Sequence, residues 1–217
     1  VKIVQTREEV FSNGQPRPSA VIYVTDGYNK DGTLAARRVK AFVNCGAYTT
    51  SALVMLDHSV YGLSGNYRNP NLLVDAYGIY TNTQFNGPYR ALGCELFVYA
   101  VERNLDMAAE RLGIDKYEIR RRNVLHLGDI DGHGQVVTSN GSAEALEAAA
   151  KYIKFNEPAR PAEGPWRYGK GLALGNKFTA YGHTGTEANV IIQHDDTIEV
   201  HAVSYTHLRA HETGAYL

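Results

Sequence analysis

The strongest constraint in this sequence is one amphipathic helix set among runs patterned as strands. Leu96, Ala100, Val101, Leu105, Ala108 and Leu112 recur at spacings that put them on one helical face. Gly113 follows as a C-cap. Such a stripe must be buried against another element, and the candidates lie upstream. Residues 1–5 alternate like a strand, residues 20–24 are β-rich, and Asn29-Lys30-Asp31-Gly32 is a strong hairpin signal. Residues 34–45 read as a second strand ending at Gly46. A turn from Tyr67 to Asn71 leads into a third at residues 72–80.

Beyond Gly113, Asp115 and Glu118 have the spacing of a capping box for a short basic helix over residues 116–122. Gly141-Ser142 opens another helix at residues 143–154. Pro158, Pro161 and Pro165 then break the chain between residues 156 and 166. Strand patterning returns at 171–179, 188–193 and 198–201, with a turn at Asp195-Asp196. Strands, helices, a break and strands again predict an α+β fold of mixed β-sheets with a few packed helices.

Composition narrows the function classes. The chain has 217 residues, 44% hydrophobic and 21% charged, which excludes a disordered chain. A net charge of −1 argues against nucleic acid or an acidic membrane as partner. No apolar run approaches the length of a membrane span. Two cysteines, Cys45 and Cys94, give no disulfide framework and read as small buried hydrophobes. His58, His126, His133, His183, His194 and His201 show no metal-ligand spacing. Asp26 and Asp31 read as turn carboxylates, and Arg120-Arg121-Arg122 as a solvated face at a helix C-terminus. Residues 203–213 resemble one reading frame of a transposase adapter used in sequencing libraries. Residues 203–217 are therefore set aside as a non-native tail, His207 and His211 included.

The segment most suggestive of chemistry is Asn86-Gly87-Pro88-Tyr89-Arg90-Ala91-Leu92-Gly93. A Gly- and Pro-bearing turn at a helix N-terminus offers backbone N–H groups to an oxyanion or phosphate, and Arg90 adds a charged donor. The same turn could equally do no more than connect its strand to its helix.

This segment resembles the molybdenum-binding large subunit of the xanthine dehydrogenase and aldehyde oxidase family. Tyr80-Thr81-Asn82, the turn from Gly87 to Gly93, Glu102, Asp106, Gly113 and Arg121-Arg122-Asn123 carry the pattern. Thr6-Arg7-Glu8-Glu9, Asp31-Gly32, Gly46, Pro70-Asn71 and Leu127-Gly128-Asp129 extend it over most of residues 1–202. The resemblance implies a molybdopterin cofactor, taken in its cytosine dinucleotide form, contacted here by Tyr89, Arg90 and Ala91. It implies an enzyme that oxidises an aldehyde or hydroxylates a heteroaromatic carbon with water-derived oxygen. Its electrons leave through 2Fe-2S clusters to FAD on partner subunits. The implied assembly is a dimer of heterotrimers in the cytoplasm, with the periplasm as the alternative location.

Residues 1–155 would then be the later part of a first cofactor domain, 156–168 a linker, and 169–202 the start of a second. The resemblance places His58, Leu92, Phe178 and Thr179 around the substrate. Purine-oxidising members carry Arg at the place of His58 and Phe at that of Leu92. Both departures argue against a xanthine-like substrate. Members that oxidise carbon monoxide have Cys where this chain has Ala91. No catalytic residue and no metal ligand is expected among these residues, because the family's glutamate base lies further along. The rival reading is a scaffold subunit without metal.

Overall fold

A computed structural model describes residues 2–64, 66–88, 90–177, 188–195 and 197–202. It divides into two compact units, Val1–Phe178 and Thr179–Leu217.

The first unit opens with helix α1, Arg7–Asn13, where Thr6 and Glu9 form a reciprocal capping box. Strands β1, Ala20–Tyr28, and β2, Leu34–Gly46, make an antiparallel hairpin. Helix α2, Ala52–Ser64, crosses over to β3, Leu72–Tyr80, which pairs parallel with β2. The sheet order is β1-β2-β3. Helix α3, Cys94–Leu112, follows, then α4, Lys116–Asn123, and α5, Ser142–Tyr152.

The α+β expectation holds, and its physical basis is plain in β2. Val39, Ala41 and Val43 point inward while Arg38 and Lys40 point to solvent. Onto the inner face pack Phe97, Val101 and Leu105 of α3, with Leu63 and Tyr67 beside them. Each of those large apolar side chains contributes about 1.5–3 kcal/mol by leaving water. Among the described residues no helix is long and apolar enough to cross a membrane.

Several expectations fail, each for a local reason. Residues 2–5 belong to no strand, and the first regular element is α1 with its capping box. Helix α2 is weakly patterned in sequence, because its buried face mixes Ala52, Met55, Leu56 and Leu63 with Ser59 while the apolar Val54 is exposed. Residues 171–177 form no strand. They are stitched to the first unit instead, by Asn66 Nδ2 to Gly175 O (2.9 Å) and Asn176 Nδ2 to Tyr61 O (3.2 Å).

Asp115 caps α4 through the amides of Tyr117 and Glu118, but Glu118 does not reciprocate. Its carboxylate turns to Arg121 and Arg122, both at 2.7 Å. Arg120 is no solvated residue: it is 1% exposed. Asp26 sits on β1 rather than in a turn, directly opposite Arg37 in the register.

The second unit is described as one antiparallel hairpin, β4, Ala188–Ile192, paired with β5, Ile198–Ala202. Its turn is closed by Asp195, whose carboxylate accepts from the Thr197 amide and hydroxyl.

Candidate functional site

The turn from β3 to α3 is built from three directions. The end of β2 holds its first half: Thr81 N donates to Gly46 O, Ala47 N to Thr83 O and Asn86 N to Cys45 O, each at 3.0 Å. Gly46 has φ +75°, and a Cβ there would stand 2.1 Å from Gln84 O. Only glycine permits that approach. Residues 15–17 hold the middle. Gly87 N donates to Pro16 O, and the Gln15 carboxamide, bonded to Ser51 Oγ, fills the space a Gly87 side chain would need.

Helix α2 forms the floor under the last part. A Cβ on Gly93 would meet Ser59 Oγ at 2.1 Å, and one on Gly62 would meet Cys94 O at 2.9 Å. Cys94 Sγ donates to His58 O at 3.3 Å. Both cysteines are buried thiols.

Three consecutive residues of this turn lie in the left-handed region: Ala91 at φ 73°, Leu92 at 54° and Gly93 at 90°. For the two non-glycine residues this costs about 1 kcal/mol or more each. Such strain persists only where the surroundings impose it, and it concentrates at functional positions. Among the described residues, no acceptor faces the N–H groups of Arg90, Ala91, Leu92 and Gly93. Arg90 is exposed and has no ionic partner among them. Behind these donors stands the N-terminus of the 19-residue α3. Its dipole is equivalent to about half a positive charge. Donor N–H groups, a helix N-terminus and an exposed guanidinium suit an oxygen-rich anionic group.

The sequence-derived candidates distribute unevenly. Arg90, Ala91 and Leu92 lie on this turn, and His58 on α2 touches its far end through Cys94. Tyr89, Phe178 and Thr179 lie outside the described residues. Gln15, Pro16, Arg17 and Ser59, which no local sequence pattern marks, support the turn. Among the described residues, cavities also lie elsewhere. One of about 700 Å³ includes Arg68, Asn69, Leu72 and Asp131 in its lining. Another of about 450 Å³ includes Asp26, Tyr28 and Met107.

Other motif residues prove to be framework. Arg120 Nε and Nη2 bond to Glu102 Oε2 and Asp106 Oδ1, both at 2.8 Å, and Tyr67 Oη donates to Glu102 Oε1 at 2.6 Å. Burial, and then the Glu102 carboxylate, hold the Tyr67 phenol well above its ordinary pKa, so it remains a donor. Asn123 Oδ1 accepts from Leu34 N at 2.7 Å, while its Nδ2 donates to Gly32 O and Ile119 O at 2.8 Å.

The family described as molybdopterin cofactor-binding domain matches residues 1–124. The chain belongs to that family. It is 33% identical over 213 residues to the xanthine dehydrogenase molybdenum-binding subunit of Escherichia coli O157:H7. That match covers 92% of the chain and 28% of the relative. The nicotinate dehydrogenase large molybdopterin subunit of Eubacterium barkeri is 32% identical over 150 residues, 69% of the chain and 35% of the relative. The segment therefore spans about a quarter to a third of the length of these relatives. Among solved structures, the aldehyde oxidoreductase from Desulfovibrio gigas superposes with a TM-score of 0.66 at 21% identity. The match covers 89% of this chain and 22% of that one. At that identity the likeness establishes the fold, and within it the resemblance to the molybdenum subunits of xanthine dehydrogenase and aldehyde oxidoreductase is secure.

Proposed function

We propose that this chain is part of the large subunit of a molybdenum hydroxylase, and that the turn at residues 86–93 helps to hold its molybdopterin. One observation carries the reading. A strained left-handed run places four amides, without an acceptor among the described residues, beside an exposed arginine at a helix N-terminus. In this role Arg90 and the Ala91 amide would donate to cofactor oxygens, and Tyr89 is assigned a cofactor contact with them. When bound, the cofactor supplies two-electron oxidation with oxygen taken from water. The chain's own residues orient the group and shape the space next to it.

His58, Leu92, Phe178 and Thr179 are assigned to the substrate side. His58 and Leu92 in place of a cation and an aromatic face favour an aldehyde or a modest heteroaromatic ring over a purine. A relative named for nicotinate is consistent with that choice. Ala91 disfavours carbon monoxide as substrate. Residues 1–155 are read as the first cofactor domain, 156–168 as linker and 169–202 as the start of the second. Iron–sulfur and FAD subunits take the electrons in a dimer of heterotrimers located in the cytoplasm, and the cofactor is the cytosine dinucleotide form.

The test is Arg90→Ala in the full-length subunit expressed with its partners. Molybdenum per protein, measured by mass spectrometry, should fall at least fivefold while the thermal midpoint stays in place. Unchanged molybdenum content would refute the assignment.

A further inference from the structure

Glu95 is an odd residue to find where an anion is to be held. It lies in the first turn of α3, directly beyond the strained run. Both carboxylate oxygens are buried, and neither accepts a hydrogen bond among the described residues. A buried carboxylate of this kind needs a compensating charge. Arg17 provides it, through an ion pair between its Nη1 and Glu95 Oε1. The same short segment grips the start of the turn, since Pro16 accepts from Gly87 N and Gln15 packs against Gly87. Residues 15–17 thus reach both ends of the stretch from Gly87 to Glu95.

We propose that Arg17 is a positioning residue that neutralises Glu95 at the mouth of the cofactor cradle and closes the turn around it. The proposal rests on the reading that this turn holds an anionic cofactor. Glu95 lies within one helical turn of the donor amides, where successive residues rise about 1.5 Å. There an uncompensated carboxylate opposes an incoming phosphate-bearing group and occupies the favourable end of the helix dipole. With Arg17 in place, the pair is neutral and the amides and Arg90 keep their attraction for the anion.

The experiment uses the full-length subunit with its partners and reads molybdenum per protein, with the thermal midpoint as a second measurement. Arg17→Ala should lose at least threefold of its molybdenum. Glu95→Gln should retain it, because removing the carboxylate removes the need for the arginine. Arg17→Ala combined with Glu95→Gln should restore the content to within a factor of about 1.5 of the parent, a repair that lost packing alone would not give. Full molybdenum content in Arg17→Ala overturns the proposal. So does a double variant as depleted as Arg17→Ala. If Arg17→Ala fails to fold, Glu95→Gln still decides: depletion there makes the pair a mechanical strut and overturns the charge argument. Arg90→Ala runs alongside. Depletion in Arg90→Ala with a normal Arg17→Ala defeats only this inference, whereas a normal Arg90→Ala defeats the reading beneath it.

Discussion

Arg120 and Arg90 belong to the same unit, and their surroundings are opposite. Arg120 is 1% exposed and has two carboxylates at 2.8 Å. Arg90 is exposed, without a partner among the described residues, on a turn whose amides also lack acceptors there. Around Arg120, Tyr67, Glu102 and Asp106 satisfy one another. A second such knot joins Asp26 to Arg37 through two bonds of 2.8 and 2.7 Å, with Tyr28 Oη on the same carboxylate at 3.1 Å. The difference separates two kinds of motif residue. Where donors and acceptors close upon each other inside the chain, the residues hold the fold. On the strained turn the donors lack acceptors among the described residues, which is the basis for proposing a ligand there.

The comparison breaks most visibly if the Arg120 knot is cut. Arg120→Ala leaves Glu102 buried without its cation, and the expected loss is about 3–5 kcal/mol of folding stability, read by urea denaturation. The exposed neighbour Arg121→Ala should cost under about 1 kcal/mol. Equal effects for the two would remove the distinction between framework and surface in this cluster. Asn123→Ala comes next. It strips the Leu34 amide of its acceptor and the Gly32 and Ile119 carbonyls of a donor, for about 2 kcal/mol. Arg90→Ala, which removes the charge from the turn at residues 86–93, should fall within about 0.5 kcal/mol of the parent in the same assay. A large destabilisation there would move Arg90 into the framework class.

How far the sequence announced these roles depends on the range of the interactions. Helix α3 was legible because its stripe is a local period and Gly113 a local stop, with φ 67° as a C-cap requires. The hairpin of β1 and β2 was legible for a similar reason, through Asn29 to Gly32. The Arg90 turn showed itself by its Gly and Pro at a helix start. Arg120 did not. Its neighbours in sequence are cations, while its true partners lie 14 and 18 residues away on another helix. Asp26 and Arg37 meet only once the strands are in register. Gln15, Pro16 and Arg17 reach the turn from far away in the chain, and no local pattern marks them. Short-range order was readable. Charge pairing across elements, which decides which polar residue is buried, was not.

The smallest expected effect is at the exposed end of the same basic helix. Arg121 and Arg122 hold the Glu118 carboxyl at about 2, below its ordinary value of 4.5. The sign follows from linkage: a carboxylate depressed in the folded chain adds stability above its unfolded pKa, and that share vanishes as pH falls through about 2. Because the pair is partly exposed to water, the energy involved is small and salt-sensitive. Titration followed by the carboxyl carbon resonance gives the measurement. Glu118 should titrate near 2 in the parent and return toward the ordinary range in an Arg121→Ala/Arg122→Ala variant. Raised salt should shift the parent in the same direction. The outer two arginines of the run would then behave as the surface charges the sequence suggested, and the first as the buried strut that it did not.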